Sequence, residues 1–147
     1  MTRRELREHC FKMLFCADFY NKEETKEQLE EYFEAPQEDE IGPDGKIEIL
    51  HMVEIPEKDR EELQEKTEAV MSRLDEIDGM IKEAAEGWNL KRIGKVELTL
   101  LRLAVYEMKF DEKVPEKVAI NEAVELAKKF GGKDSPGFIN GILAKMV

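Results

Sequence analysis

Three arginines stand at the start of a chain that is acidic overall. The opening segment MTRRELREHCFKMLF carries Arg3, Arg4 and Arg7, whereas the 147-residue chain has a formal net charge of −11. Arginine offers charge-assisted, often bidentate hydrogen bonds to phosphate, so the cluster suggests a contact with an anion. The negative charge elsewhere argues against a general nucleic-acid coat. Any RNA contact must therefore be local, or shared with a basic partner.

The same segment carries a set of aromatic side chains. Phe11, Phe15 and Phe19 are spaced four residues apart, so on a helix they form one apolar stripe. That stripe is displaced from a first stripe that is typical of a core face. One helix cannot easily bury both stripes in a small domain, so the phenylalanines either close a second side of the core or form a partner surface. The first stripe consists of Leu6, Cys10, Met13, Leu14 and Ala17.

The segment GGKDSPGF, residues 131–138, joins two predicted helices. It presents backbone amides at a helix N-terminus, and the ring of Phe138 could stack on a nucleic-acid base. Asp134 or Ser135 can cap the second helix, and Pro136 fits its first turn. The alternative is a plain connection between two helices with Phe138 in the core.

The elements that must hold these groups are predicted to be helices. Glu, Lys, Leu and Ala are abundant, and 41% hydrophobic residues suit a single domain over residues 1–147 of all-α class. Thr2 is predicted to cap the first helix, with Glu5 completing a capping box. Further helices are expected over residues 22–34, 59–88 as one long or two consecutive helices, 95–110, from Pro115 to Gly131, and from Asp134 onward.

Two carboxylates fall within the apolar arc of the helix over residues 95–110, which we expect to be central. Glu97 lies in the first turn, where the helix dipole favours a carboxylate by about 0.3–1 kcal/mol, and its neighbourhood would also suit an interface. Glu107 should find a cationic or hydrogen-bonding partner, because an unpaired buried carboxylate is costly. We interpret Glu107 as structural.

Other features of the sequence carry less functional information. The stretch at about 35–55 is acidic and holds the turn signal GPDG between two apolar runs, so we interpret it as an acidic loop or a small hairpin. Cys10 and Cys16 point about 120° apart on one helix, which indicates free thiols rather than a disulfide or a metal site. No apolar stretch is long enough to span a membrane. We expect a cytoplasmic protein without metal or cofactor.

Three segments together resemble the NusB family of transcription antitermination factors: RRELREHCFKMLF, LLRLAVYEM and VPEKVAINEAVELAKKFGGKDSPGFINGILAKM. The resemblance covers the first helix and roughly residues 75–147, without the acidic stretch. It implies a fold of two small helical bundles with about six or seven helices. It also implies that the protein pairs with NusE, a ribosomal protein of the small subunit, and holds boxA RNA in the antitermination complex with RNA polymerase, chiefly on ribosomal RNA operons.

The resemblance further implies which residues form the two surfaces. The NusE-contacting set consists of Phe15 and Glu97. Glu5 is a departure, because some relatives carry another basic residue there. The RNA-contacting set combines a basic start with a joint between two helices: Arg3, Arg4, Arg7, Asp134 and Phe138.

Two other classes of function are open to such a sequence. A NusB-like domain also occurs at the front of some ribosomal-RNA cytosine methyltransferases, but we find no Gly-rich methyl-donor loop or nucleophilic Cys beside a base, and expect no enzymatic activity and no cofactor-binding domain. The second class is a helical interaction scaffold without RNA binding, with solvated arginines. An exposed phenylalanine stripe would favour self-association, so the free protein could be a monomer or a homodimer.

Overall fold

Seven helices and one hairpin make up the part of the chain that the computed structural model describes, namely residues 1–17, 25–33, 37–41, 47–52, 54–86 and 89–147. The helical class and the number of helices agree with the sequence-based prediction. The elements in chain order are α1 (Arg3–Ala17), α2 (Thr25–Tyr32), β1 (Gln37–Ile41), β2 (Ile47–Met52), α3 (Glu57–Ser72), α4 (Leu74–Ala84), a short 3₁₀ turn (Leu90–Arg92), α5 (Lys95–Lys109), α6 (Glu116–Phe130) and α7 (Ser135–Ala144).

The acidic stretch contains the small hairpin that was one of its two predicted forms. β1 and β2 pair antiparallel, with Gln37 opposite Met52 and a register irregularity between Glu40 and Ile41. The GPDG turn signal, residues 42–45, lies outside the described residues. The hairpin is a small addition to a fold that is otherwise helical.

The capping box predicted for α1 is present. The backbone N–H of Glu5 donates to Thr2 Oγ1 at 3.1 Å, and the N–H of Thr2 donates to Glu5 Oε1 at 3.5 Å. These bonds satisfy two amides that a helix start otherwise leaves without partners. The cap therefore fixes the start of α1, from which Arg3 and Arg4 extend.

The helices form two groups that meet at α5. α1 packs against α2 and α3, whereas α5, α6, α7 and α4 pack mainly against one another. α5 also contacts α1 and α3, which confirms the central position predicted from its broad apolar arc. The segment over residues 59–88 forms two helices rather than one, with a break at Arg73. None of the described helices combines the length and the apolar character needed to cross a membrane.

The core lies between α1, α3 and α5 in the first group and between α5, α6 and α7 in the second. Its α1 contribution consists of the predicted first stripe, all of which is buried, together with Phe11. The largest fully buried side chains elsewhere in the described residues are Leu29, Ile55, Leu63, Ile77, Ile81, Leu100, Leu101, Leu103, Ile139 and Leu143.

Candidate nucleic-acid and protein interface

Arg3 and Arg4 are exposed at the start of α1, but each faces a carboxylate from another helix. The Arg3 side chain is 77% exposed and pairs with Glu62 of α3. The Arg4 side chain is 68% exposed, and its Nε and NH2 donate to the two carboxylate oxygens of Glu122 of α6, both at 3.0 Å. The hydrogen bond to Glu122 is the main cause that raises the pKa of Arg4. The predicted basic start therefore exists, with its charge partly balanced.

Arg7 lies one turn further along α1 and is only 8% exposed. Its Nε and NH2 donate to the Glu107 carboxylate at 2.9 and 2.8 Å, and its NH1 lies 3.9 Å from Glu122. Burial lowers the pKa of Arg7, but the pairing with Glu107 outweighs it and the pKa is raised. The structure thus corrects the expectation for Arg7: it lies in the core, bound by carboxylates, and we leave it out of the candidate RNA surface.

Glu107 is the centre of a buried ionic cluster. Besides Arg7, it accepts a hydrogen bond from Lys66 Nζ at 2.9 Å, and Lys66 lies 3.8 Å from Asp111. Burial would raise the pKa of Glu107, but hydrogen bonding to Arg7 and the charge of Lys66 hold it below its usual value. The cationic partner that the sequence required for Glu107 is therefore found, and the cluster ties α1 and α3 to α5.

The phenylalanine stripe of α1 divides between core and surface. Phe11 is buried, and its ring centroid lies 5.1 Å from that of Phe130 on α6. Phe15 is half-buried, and Lys95 Nζ lies 4.7 Å from the centroid of its ring. Phe19 lies outside the described residues. Phe11 thus closes a second side of the core, and of the two described members of the stripe Phe15 is the one that keeps an accessible side.

A cleft of about 340 Å³ opens where the start of α5 faces the joint between α6 and α7. Glu97, Asp134 and Phe138 all line it. The Ser135 hydroxyl donates to the Glu97 carboxylate and accepts from the N–H of Gly132 at 3.0 Å. The cleft thus brings together Glu97, Asp134 and Phe138, which the sequence-based prediction assigned to two different surfaces.

Two glycines lie at close approaches in this cleft. A Cβ on Gly94 would overlap the carboxylate of Glu97, which folds back over the helix start. A Cβ on Gly131 would lie 2.6 Å from the Cβ and Oγ of Ser135 and 2.9 Å from the carbonyl oxygen of Ala127. The contacts at Gly131 are with backbone and with a short buried side chain, so glycine is required there, whereas the Glu97 carboxylate at Gly94 is the end of a flexible side chain that can move aside.

Asp134 and Phe138 differ in how far they enter the protein. Asp134 is exposed at the N-cap position of α7, where its side chain makes no capping hydrogen bond. Phe138 is half-buried, packs against the core and also lines the cleft.

Arg92 and Lys133 are exposed cations on the rim of the same cleft, and the sequence-based prediction missed them. The signal available for them was the basic residues in LKRIGK and GGKD.

The two candidate RNA regions lie apart along α1. Side chains of α6 meet α1 in chain order: Glu122 contacts Arg4, Lys129 Nζ lies 2.6 Å from Glu8 Oε1, and Phe130 contacts Phe11. From Arg4 to Phe15, whose ring contacts Lys95 next in the chain to the cleft residue Gly94, α1 advances by about 16 Å at 1.5 Å per residue. The cleft and the basic start are therefore separate regions of the molecule.

Comparison with known proteins identifies the family. Residues 4–147 match the NusB family. A transcription antitermination protein NusB of Lachnoclostridium phytofermentans is 44% identical over 147 residues, which cover all of this chain and 99% of the relative. One of Clostridium botulinum, strain Loch Maree, is 36% identical over the full length of both. The chain belongs to the NusB family.

Solved structures share the fold. NusB of T. maritima superposes with a TM-score of 0.78 at 31% identity, covering 99% of this chain and 90% of that one. A structure of the antitermination factors NusB and NusE in complex with double-stranded RNA has a TM-score of 0.70 at 24% identity, covering 99% of this chain and 97% of that one. At 24% identity, the likeness to the complex with NusE and RNA supports the fold alone. Both agree with the NusB-like architecture that the resemblance implied.

Proposed function

We propose that this protein is a transcription antitermination factor that binds boxA-type RNA together with NusE during ribosomal RNA transcription. The observation that carries the proposal is its likeness, over the full length, to relatives named transcription antitermination proteins. The partners to test follow from a NusB protein of the same fold that was crystallised with NusE and double-stranded RNA. In this proposal the protein acts in the cytoplasm, within the antitermination complex with RNA polymerase and without catalysis.

The proposed RNA surface combines the start of α1 with the joint before α7. Arg3 and Arg4 supply guanidinium groups to phosphate, because both side chains extend into solvent. Phe138 offers one side of its ring to a base at the cleft. Asp134 is exposed and can accept a hydrogen bond from a base edge or a ribose hydroxyl. Arg7 supports this surface from the core.

The proposed NusE surface lies beside the cleft and includes Phe15 and Glu97. The half-buried ring of Phe15 offers apolar area to a partner and the Glu97 carboxylate offers it a negative charge, while the net charge of −11 attracts a basic protein at long range. Phe15→Asp and Glu97→Lys should each weaken NusE binding while circular dichroism stays native. Glu61→Lys, the same charge change on an exposed position of α3, is the matched control. If Phe15→Asp unfolds the protein, that ring belongs to the core.

The proposal is tested by titrating boxA RNA with and without NusE. We expect weak, salt-sensitive binding by the protein alone, because few phosphate contacts act against a large negative charge, and markedly tighter binding with NusE. Equal affinity in both conditions would contradict the proposal. Absence of RNA binding in both would favour the interaction scaffold. Sedimentation at several concentrations, without NusE, tests whether the surface around Phe15 pairs two copies of the chain.

A further inference from the structure

The two exposed arginines at the start of α1 are already occupied in the free protein. Arg4 uses the fork of its Nε and NH2 groups on the two oxygens of Glu122, both at 3.0 Å. A phosphate group would use the same fork. Arg3 pairs with Glu62. Each proposed phosphate contact therefore competes with a carboxylate of the protein itself.

The carboxylate of Glu122 is held more firmly than the arginine that binds it. The side chain of Glu122 is only 16% exposed and lies 3.9 Å from the buried Arg7 guanidinium as well. The Arg4 side chain is 68% exposed and reaches Glu122 from solvent. An exchange of partners therefore moves the arginine and leaves the negative charge in place, close to the incoming phosphate.

We propose that Glu122, and to a lesser extent Glu62, compete with RNA phosphates for Arg4 and Arg3 and so lower the affinity of the protein for RNA. Glu62 has the smaller effect because its side chain is 43% exposed, so it can move away with its charge screened by water. The inference rests on the proposed function, since it concerns the regulation of the same RNA surface. Its consequence is that the arginines alone retain phosphate poorly, so stable binding requires contacts that NusE or the cleft supplies.

The expected size of this effect follows from the exposure of the pairs. Ion pairs at a protein surface are weak and easily exchanged, so the removal of one carboxylate should tighten RNA binding by about two- to fivefold at low salt. The gain should shrink as salt rises, because the Debye length falls from about 10 Å at 0.1 M to about 3 Å at 1 M. If Glu122 instead positioned Arg4 for RNA, removal of the carboxylate charge would leave the RNA affinity unchanged or lower it.

The experiment measures boxA RNA affinity in the presence of NusE for the wild type, Glu122→Gln and Glu62→Gln. Gln keeps the shape of the side chain and an acceptor oxygen but removes the charge. Glu116→Gln is the matched control, because Glu116 lies on the same helix and pairs with Lys109 rather than with an arginine. Thermal unfolding of every variant checks the fold, and Glu62→Gln gives a second test that does not touch Arg7.

A double-mutant cycle with Arg4→Ala identifies the contact. We expect Glu122→Gln to tighten binding more than Glu116→Gln does, and this extra gain to disappear when Arg4 is Ala. An equal effect of the two Gln variants, or a gain that persists without Arg4, would overturn the inference while leaving the proposed function intact. Failure of the wild type to bind RNA with NusE would instead overturn the proposed function, and the inference with it.

Discussion

The start of α1 and the cleft at the α6–α7 joint are both candidate RNA contacts, but they are built differently. The start of α1 offers positive charge that is exposed and already paired with Glu62 and Glu122. The cleft offers the ring of Phe138 beside Glu97, whose carboxylate is bound by Ser135. Charge is screened by salt, whereas stacking is not. The two regions should therefore respond in different ways to ionic strength and to truncation.

A second contrast lies within α1, between arginines three residues apart. Arg4 is exposed, and Arg7 is buried in contact with Glu107. Arg7→Ala leaves Glu107 buried with only Lys66 as a cation, so we expect a decrease of about 3–5 kcal/mol in the free energy of unfolding. Arg4→Ala is the control and should change stability little. Urea unfolding measures the change in the free energy of unfolding for both variants. Similar small decreases would show that the Arg7–Glu107 pair does not stabilise the core.

Acidification should remove the stability that the same ionic cluster contributes. The pKa of Glu107 in the folded protein lies below its ordinary value of 4.5, so the unfolded state binds more protons between these two values. The stability that Glu107 contributes is thus fully present above pH 4.5 and is lost as the pH falls through the folded pKa. Glu107→Gln should flatten this part of the profile. Unfolding curves of the wild type and Glu107→Gln between pH 7 and pH 3 measure this difference. Parallel stability profiles of the two proteins would show that Glu107 does not contribute in this way.

Phe138 provides the test at the cleft. If its ring stacks on a base, Phe138→Ala should weaken RNA binding by the NusE complex by about 1–3 kcal/mol and leave the salt dependence unchanged. Phe138→Leu retains apolar packing against the core but lacks the ring, so it should bind RNA more weakly with little change in stability. Both are checked by RNA titration with thermal unfolding alongside. Full affinity in the Leu variant would assign the ring to packing alone.

Local signals in the sequence predicted most of the fold. The capping box at Thr2 and Glu5, the central α5 and the hairpin in the acidic stretch depend on residues that are near one another in the chain, and all are present. The break at Arg73 could not be predicted, because the apolar pattern continues across it. Helix periodicity alone does not distinguish a continuous helix from two consecutive ones.

The site was harder to predict because its contacts join distant parts of the chain. The sequence required a partner for Glu107 but offers 23 lysines and arginines, and only the packing of α1 on α5 selects Arg7. Family resemblance then placed Arg7 among the RNA contacts, although its position beside the first stripe was compatible with burial. The bond between Ser135 and Glu97 likewise depends on tertiary packing. Such pairings are properties of the fold rather than of any local motif.

A salt titration shows whether the exposed arginines at the start of α1 hold RNA phosphates. The affinity of the NusE complex for boxA RNA is measured against salt concentration for the wild type and the double variant Arg3→Ala/Arg4→Ala, with Lys82→Ala/Lys145→Ala as an equal charge change at exposed positions elsewhere. We expect the log–log slope of the arginine variant to fall by about 0.7–1 unit for each phosphate that an arginine no longer binds, with NusE binding and the control slope unchanged. An unaltered slope in the arginine variant would contradict this expectation.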